Sequence, residues 1–359
     1  MSLPSPCHSP QSLTIGGAAH PAKPLNPFKL VDLQHRRVEY LRVSVTDRCN
    51  YRCTYCMPAA GVPVVGHDRL LSFEEIRSLV EQFVALGVRK VRLTGGEPLV
   101  RRGIVDLVAM LAEIPGIQDL SMTTNGHLLA PLAGPLKAAG LSRLNVSLDT
   151  LKEARFAQLT RQGKLGAVLD GIAAAQQAGF AHTKLNAVVL KGLNDDELSD
   201  LALFAGERDL ILRYIEYMPI GVDDFWGPQT FLPVAAVREA LVTDWDLQPA
   251  PLDGTPGGGP AKRWLAQHRR RPELAVKLGL IAAVTEQFCE LCNRVRLSPT
   301  GTLRECLSTA GALSLRDLLR GGANDQEIRA AIAEALAGKV DAHRFDRVAT
   351  AEAMSSIGG

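Results

Sequence analysis

Strand-like and helix-like segments alternate through residues 38–219, and this alternation constrains the fold more than any other feature of the chain. Six runs rich in apolar and β-branched residues are predicted as strands: Tyr40–Thr46, Lys90–Thr94, Leu120–Thr124, Arg143–Leu148, Lys184–Leu190 and Leu212–Tyr217. Apolar residues at helical spacing predict a helix that starts with a Ser72–Glu75 capping box, and further helices over 102–113, 128–139, 165–178 and 195–208. Such alternation predicts an α/β fold built from parallel βαβ units.

Polar residues collect where the predicted strands end. They are Thr46–Asp47, Thr94–Gly95–Gly96–Glu97, Thr123–Thr124–Asn125 and the pair Ser147 and Asp149. A doubly wound sheet would fit the alternation equally well, but a barrel brings the carboxyl ends of its strands to one mouth, where active sites lie. Because six units fall short of the eight of a closed barrel, we predict a partial (β/α)6 TIM-like barrel.

The chain divides into three predicted parts. Residues 1–37 are rich in Pro and Ser and are predicted to form a flexible N-terminal tail. Residues 38–219 form the barrel. Residues 220–359 contain a Pro/Gly loop, a second cysteine group and Ala-rich helical sequence, and we expect this C-terminal domain to cover the barrel mouth.

Composition excludes several classes of protein. The 359 residues are 46% hydrophobic, and their net charge of +2 indicates neither a nucleic-acid partner nor an acidic membrane surface. No apolar stretch is long enough to span a bilayer, and no secretion signal is evident, so we expect a cytoplasmic protein. Six of the seven cysteines lie in two tight groups, and only Cys7 stands apart. This clustering favours metal or redox chemistry over disulfides.

The first cysteine group is a C-x3-C-x2-C run, Cys49, Cys53 and Cys56, directly after a predicted strand. Three thiolates this close can hold three irons of a 4Fe–4S cluster and leave the fourth iron open to a small molecule. The alternative is a zinc site, for which His67 is the nearest fourth ligand.

The second cysteine group is C-x2-C-x13-C, formed by Cys289, Cys292 and Cys306. It again provides three thiols, and a structural zinc site would need His268 or His343 as its fourth ligand. Arg294 and Arg296 follow Cys292 and would point to the same face of a strand. An arginine fork suits phosphate and purine edges, although a solvated basic face is the commoner role of such a pair.

These motifs resemble two levels of a known family. The C-x3-C-x2-C run, with Tyr55 before its last cysteine and Gly95–Gly96–Glu97–Pro98 after the next strand, resembles the radical S-adenosylmethionine (SAM) superfamily. Segments 41–49 and 288–297, Cys306–Leu307 and the final Gly358–Gly359 are similar to the GTP 3′,8-cyclase family of molybdenum cofactor biosynthesis. The similarity covers about residues 38–359.

The resemblance implies two 4Fe–4S clusters and SAM as cofactors. It implies that the first cysteine group binds the cluster that cleaves SAM and that the second binds a cluster whose open iron holds the guanine of GTP. The positions that match SAM contacts are Tyr55, Gly96, Ser147 and Met218. The implied reaction is that of a lyase: a 5′-deoxyadenosyl radical removes hydrogen from C3′ of GTP, and the carbon radical attacks C8 to give 3′,8-cyclo-7,8-dihydro-GTP.

The resemblance also implies the residues that act on the substrate. The positions that match GTP contacts are Arg42, Arg92, Thr123, Lys184, Arg294 and Arg296. Lys90 and Arg213 match further basic residues needed near the substrate, and Gly358 and Gly359 match a catalytic tail that can enter a narrow site. A frayed terminus is the usual role of a final glycine pair.

The strand period supports this substrate site independently. If Arg92 faces the barrel interior, Lys90 does too, because alternate residues of a strand share a face. Unpaired cations inside a barrel are costly, and a triphosphate would neutralise them. The alternative is that local acids such as Asp149 or Glu216 pair with these cations.

Two other functions remain open at this stage. One is a radical SAM peptide or protein maturase with an auxiliary cluster, and the other is a zinc-binding module without catalysis. For the cyclase, the resemblance implies an electron donor and a downstream cyclic pyranopterin monophosphate synthase as partners. The sequence does not settle the oligomeric state, and a homodimer is among the states that it allows.

Overall fold

The computed structural model describes residues 30–220, 225–250, 259–343, 345 and 354–357. Cys7, Gly358 and Gly359 lie outside the described residues, so the predictions made for them stay predictions. None of the described helices has the length and apolar character needed to cross a bilayer.

Six parallel strands form the centre of one sheet, in chain order. They are β1 (Tyr40–Ser44), β2 (Lys90–Thr94), β3 (Asp119–Thr124), β4 (Arg143–Ser147), β5 (Lys184–Val189) and β6 (Ile211–Glu216). Each begins within one residue of its predicted start. The predicted α/β class and the six parallel βαβ units are confirmed.

Helices connect these strands and cover one face of the sheet. They are α1 (Phe73–Ala85), α2 (Ile104–Ala112), α3 (Leu129–Ala138), α4 (Glu153–Thr160), α5 (Leu165–Gln177) and α6 (Leu198–Gly206). The capping box of α1 is present, because the Ser72 hydroxyl accepts from the Glu75 amide at 3.1 Å and the Glu75 carboxylate accepts from the Ser72 amide at 2.7 Å. The short helix α4 was not predicted from the sequence.

Residues beyond 219 extend the sheet at both edges. They form α7 (Val234–Leu241), β7 (Trp245–Pro249), β8 (Lys262–His268), β9 (Arg271–Ile281), β10 (Arg294–Leu297), β11 (Thr302–Arg304), β12 (Leu313–Ser314), α8 (Leu315–Arg320), α9 (Asp325–Ala337) and α10 (Met354–Ile357). Strand β9 pairs in parallel with β6, and β10 pairs in parallel with β1. The twelve-stranded order is β12-β11-β10-β1-β2-β3-β4-β5-β6-β9-β8-β7, so the barrel is open, as predicted.

The two faces of the central strands differ in character. Residues such as Leu41, Val91 and Leu144 point outward and are fully buried in the main hydrophobic core beneath the helices. The alternate residues point inward and are largely polar. Arg42 lies beside Arg92 across the β1–β2 pair, which confirms the face that the strand period predicts.

The N-terminal boundary differs from the prediction. Residues 30–37 were assigned to a flexible tail, but Leu30 and Asp32 are buried at 4% exposure. The Leu30 amide donates to the Leu86 carbonyl at 3.0 Å, and Val31 forms an isolated antiparallel β-bridge with Arg37. The segment is packed against the barrel because Leu30, together with Val38 directly after the segment, belongs to the main hydrophobic core.

Candidate active site

The first cysteine group lies in the loop that follows β1, at the carboxyl end of the barrel. Within this loop, the Cys56 amide donates to the Cys53 carbonyl at 3.0 Å, and the Tyr51 amide donates to the Cys49 sulfur at 3.4 Å. Burial raises the pKa of Cys49 to about 11, and burial together with the charges of Cys56 and Asp149 raises the pKa of Cys53. Burial therefore disfavours the thiolate form in this loop, and the charge of a bound metal would favour it.

Gly95 and Gly96 pack directly on the cysteine loop. The Gly96 amide donates to the Thr46 carbonyl at 2.8 Å, and the Glu97 amide donates to the Arg48 carbonyl at 2.8 Å. A Cβ atom on Gly96 would lie 2.4 Å from the Arg48 carbonyl oxygen. These glycines therefore let the end of β2 approach the backbone that leads into Cys49, a reason that the sequence alone did not provide.

The Glu97 carboxylate joins the ends of β2 and β3. It is 1% exposed and accepts from the Thr124 hydroxyl at 2.7 Å and from the Asn125 amide at 2.6 Å. Burial raises its pKa to about 7. The Asn125 side chain in turn donates to the Asn50 side chain at 2.8 Å and lies 3.9 Å from the Cys49 sulfur. The polar ends of two strands thus fix the cysteine loop.

Tyr55 joins the same loop to the end of β4. Its hydroxyl donates to the Asp149 carboxylate at 2.5 Å, and the Val188 amide donates to the other oxygen at 2.9 Å. Burial raises the pKa of Asp149 to about 6. Ser147 ends β4, and Met218 lies two residues beyond β6. The four positions predicted to contact SAM therefore lie at strand ends or loops on the side of the first cysteine group.

The second cysteine group lies at the opposite end of the strands. Cys292 lies two residues before Arg294, the first residue of β10. Arg294 is in register with Tyr40 at the start of β1. Cys306 follows β11, which is antiparallel to β10. The two cysteine groups thus flank opposite ends of neighbouring parallel strands. The sequence did not predict this placement, because it depends on the pairing of β10 with β1.

The geometry does not match a mononuclear zinc site. Among the residues that the structure describes, no three Cys, His, Asp or Glu side chains converge on a point where one metal ion could bind. His268 is used elsewhere, because its ring packs on Trp245 and its Nδ1 accepts from the Arg271 amide at 3.1 Å. A 4Fe–4S cluster binds each thiolate to a different iron, so its ligands need not meet at one point.

Buried cations line the inner face of the barrel between the two cysteine groups. Arg296, Arg42 and Arg92 are neighbours on β10, β1 and β2. Lys184 and Arg213 lie across the barrel on β5 and β6 and are 6% and 8% exposed.

Burial and mutual repulsion lower the pKa values of these cations. Burial lowers the pKa of Lys184 to about 7, with further lowering by Arg213, Arg143 and Arg92. Burial, followed by the charge of Arg92, lowers the pKa of Arg213 to about 9. The strand register puts Arg92, Lys184 and Arg213 on the same inner face of the sheet, where their like charges repel one another.

Two acids near the barrel, Asp149 and Glu216, make hydrogen bonds to other groups. Asp149 binds Tyr55, and the Glu216 carboxylate accepts from the amides of Val234 and Val284 at 2.9 and 2.8 Å. Both carboxylates therefore have partners outside the row of cations. The Asp119 carboxylate lies on the same inner face, but it pairs with Arg143, which the sequence analysis missed.

Several buried polar atoms of the inner face have no hydrogen-bond partner among the described residues. They are Thr123 Oγ1, Asn186 Oδ1 and Arg213 Nε. Other groups are satisfied: the Arg92 Nε donates to the Ser121 hydroxyl at 3.2 Å, and the Arg213 Nη2 donates to Asn145 at 2.6 Å. Lys90 lies at the start of β2, half-buried beside Tyr40 and Asp119. Open donors and acceptors among cations fit a polar, anionic ligand.

The last described segment, α10, lies close to both cysteine groups. The Met354 amide donates to the Cys56 carbonyl at 3.3 Å. Ile357 is 1% exposed in an apolar cluster that also contains Met218 and Leu307, the residue after Cys306. The chain directly before Gly358 and Gly359 is therefore next to the first group and packs on the second.

Comparison with known proteins identifies the family. The radical SAM superfamily matches residues 43–205, and the molybdenum cofactor synthesis C-terminal family matches residues 210–345. GTP 3′,8-cyclase of Pelotomaculum thermopropionicum is 44% identical over 91% of this chain and 99% of its own length, and that of Moorella thermoacetica is 43% identical over the same shares. The chain belongs to the GTP 3′,8-cyclase family.

Solved structures agree on the fold of this GTP 3′,8-cyclase family member. Streptococcus suis SuiB bound to SAM superposes with a TM-score of 0.55 at 14% identity, covering 83% of this chain and 69% of SuiB. SuiB bound to its precursor peptide SuiA gives a TM-score of 0.57 at 14% identity, with 82% and 68% covered. At this identity the likeness shows the fold alone.

The cofactors of the family are two 4Fe–4S clusters and SAM, and the described residues fit them. Two sets of three cysteines that form no disulfide would hold the clusters: Cys49, Cys53 and Cys56 in one set, and Cys289, Cys292 and Cys306 in the other. Sequence reasoning missed residues that position these sets, namely Asn125 near the first, and Arg36 and Lys339 near the second. Arg36 was assigned to the tail, and no motif in the sequence includes Lys339, which follows a helix.

Proposed function

We propose that this protein converts GTP to (8S)-3′,8-cyclo-7,8-dihydroguanosine 5′-triphosphate, the first step of molybdenum cofactor biosynthesis. The single observation that carries the proposal is the row of buried cations between two cysteine groups at opposite ends of one barrel. A purine nucleoside triphosphate fits such a cavity, because its phosphates would neutralise the cations and its base would reach toward one cysteine group.

Different residues of the barrel contact different parts of GTP in this proposal. Arg42, Arg92, Lys184 and Arg296 surround the triphosphate with positive charge, together with Arg294, Lys90 and Arg213 at its margins. Thr123 provides a hydroxyl whose buried oxygen has no partner among the described residues, as a ligand contact requires. The second cysteine group holds the cluster that receives the guanine, and this places the ribose toward the first group.

The first cysteine group, with Tyr55, Gly96, Ser147 and Met218, forms the SAM site in this proposal. When bound, the first cluster and SAM supply a 5′-deoxyadenosyl radical, which is the chemistry that the protein itself lacks. The protein orients C3′ and C8 of GTP for bond formation and excludes water from the cavity. Gly358 and Gly359 follow α10 in the sequence, and α10 packs beside both groups; in this proposal the two glycines act on the substrate.

The curated relatives are GTP 3′,8-cyclases, and the described residues also favour this function over the two alternatives. A peptide or protein maturase has no evident use for the buried cations, and a zinc-binding module would need a site that the described residues do not form. We propose that the protein works in the cytoplasm, accepts electrons from a separate donor and passes its product to a cyclic pyranopterin monophosphate synthase. The proposal includes a homodimer.

The decisive experiment is anaerobic turnover of the reconstituted protein with reductant, SAM and GTP. We expect 5′-deoxyadenosine and a product that yields a pterin on oxidation, both dependent on GTP. Omission of GTP is the control for uncoupled SAM cleavage. Iron-loaded protein that cleaves SAM equally well without GTP, and forms no pterin precursor, would refute the function.

Two variants test the division of labour. Cys289→Ser should retain the first cluster and lose GTP binding, measured by equilibrium dialysis, whereas undiminished GTP affinity would contradict the role of the second group. Deletion of Gly358 and Gly359 should leave iron content unchanged and abolish cyclisation. Normal turnover of the deletion variant would show that the tail is not catalytic.

A further inference from the structure

Lys339 is a buried cation in contact with both chain segments of the second cysteine group. It follows α9 and is 3% exposed. Its Nζ donates to the Arg294 carbonyl at 3.0 Å and also to the Glu305 carbonyl. Arg294 lies two residues after Cys292, and Glu305 directly precedes Cys306. One ammonium group therefore joins the two segments that present these thiols.

The charge of Lys339 is not neutralised by the described part of the protein. There, the hydrogen-bond partners of Nζ are the two main-chain carbonyls, and no carboxylate forms an ion pair with it. Burial of a charge without an opposite charge is expensive. Carbonyl dipoles alone do not account for a full cation at this place, so the site calls for a negative partner.

A second buried cation fixes the same region, but its charge is balanced. Arg36 donates to the Cys289 carbonyl at 2.8 Å and to the Val340 carbonyl at 2.6 Å, while Asp32 accepts from its Nε at 2.6 Å. The His343 amide also donates to the Cys289 sulfur at 3.4 Å. Residues 339–343 are thus held against the cysteine group, and Lys339 brings the net positive charge.

We propose that Lys339 is a positioning residue that provides the compensating positive charge for an iron–sulfur cluster at Cys289, Cys292 and Cys306. The inference rests on the proposed function, because it requires a cluster at the second group. Groups around the ligands of a metal orient them and tune the metal, and net charge nearby sets the potential of an iron–sulfur cluster. Reduction adds one electron to the cluster, so a neighbouring cation stabilises the reduced form.

The test uses the full chain with only the second cluster present. In this background the first group is removed by three substitutions, Cys49→Ala, Cys53→Ala and Cys56→Ala. After anaerobic reconstitution with iron and sulfide, a redox titration followed by electron paramagnetic resonance reads the second cluster alone. We expect Lys339→Met to lower the ratio of reduced to oxidised cluster about tenfold at a fixed potential, which is about 59 mV for one electron.

Two matched variants separate charge from other effects. Lys339→Arg keeps the positive charge and should leave the ratio within about threefold of the parent. Lys137→Met removes one positive charge from the exposed surface of α3, and should leave the ratio unchanged because solvent screens it.

Each outcome decides the matter. A parent-like potential in Lys339→Met with full iron content would overturn the inference, as would equal shifts in Lys339→Met and Lys339→Arg. If Lys339→Met fails to retain iron, retention in Lys339→Arg supports the charge role, and loss in both variants refutes it. A parent protein that binds no iron at the second group would overturn the proposed function and this inference together.

Discussion

We predict that the protonation of Lys184 links GTP binding to pH. In the ligand-free barrel, burial and the neighbouring Arg213, Arg143 and Arg92 lower the pKa of Lys184 to about 7. Relative to the ordinary value of 10.5, this corresponds to about 5 kcal/mol against the charged form. A bound triphosphate would reverse this effect, because its negative charge stabilises the ammonium.

The sign of the pH dependence follows from this. Above pH 7 the free protein holds Lys184 largely neutral, so binding must take up a proton, and affinity falls as the pH rises. From pH 7 to pH 9 the dissociation constant for GTP should rise about fifty-fold, since each pH unit above the pKa costs up to tenfold. The phosphates themselves remain ionised over this range.

Isothermal titration calorimetry in two buffers with different ionisation enthalpies measures both quantities. At pH 8.5 we expect uptake of nearly one proton per GTP bound by Lys184, and Lys184→Arg, whose ordinary pKa is higher, should show a much smaller proton uptake and a weaker pH dependence. An equally steep loss of affinity in Lys184→Arg would refute the reasoning, because the titrating group would then lie elsewhere.

Other contacts of the site give sharp expectations. Tyr55→Phe removes a donor to buried Asp149 and should lower the free energy of unfolding in urea by about 1–3 kcal/mol; an unchanged value would show that the bond is dispensable. Gly96→Ala should lose the iron of the first cluster, because its methyl would meet a main-chain oxygen at 2.4 Å, whereas Gly134→Ala meets nothing within 4 Å and should retain it. Iron analysis distinguishes the two. Arg36→Met breaks a buried ion pair and should cost about 3–5 kcal/mol in the same urea assay, and a loss under 1 kcal/mol would contradict its clamping role.

The sequence predicts the barrel well because its signals are local. The strand β2 is predicted to the residue, and the capping box at Ser72 and Glu75 marks the start of α1. That Lys90 and Arg92 share a face follows from the period of two along a strand. Each of these features depends on neighbours in the chain, so no knowledge of the tertiary structure is needed.

What the sequence does not predict depends on contacts between distant segments. The pairing of β10 with β1 brings Arg296 beside Arg42 and places the second cysteine group at the far end of the strands. Residues 30–37 were assigned to the tail because nothing in their sequence predicts the ion pair between Asp32 and Arg36. This pair forms where Arg36 contacts the Cys289 loop, which is distant in the sequence. The family resemblance provides the site residues, but it does not predict that Asp149 accepts from Tyr55 or that Glu216 accepts from main-chain amides.

The polar inner face of the sheet separates folding from chemistry. In a closed barrel, layers of bulky apolar side chains fill the interior and hold the strands together. Here the apolar core lies outside, between the strands and the helices, and the interior contains Arg92, Lys184 and Arg213 instead. Single substitutions inside the barrel should therefore alter what the protein binds more than whether it folds, so this scaffold can accept a different anionic substrate without a redesign of its core.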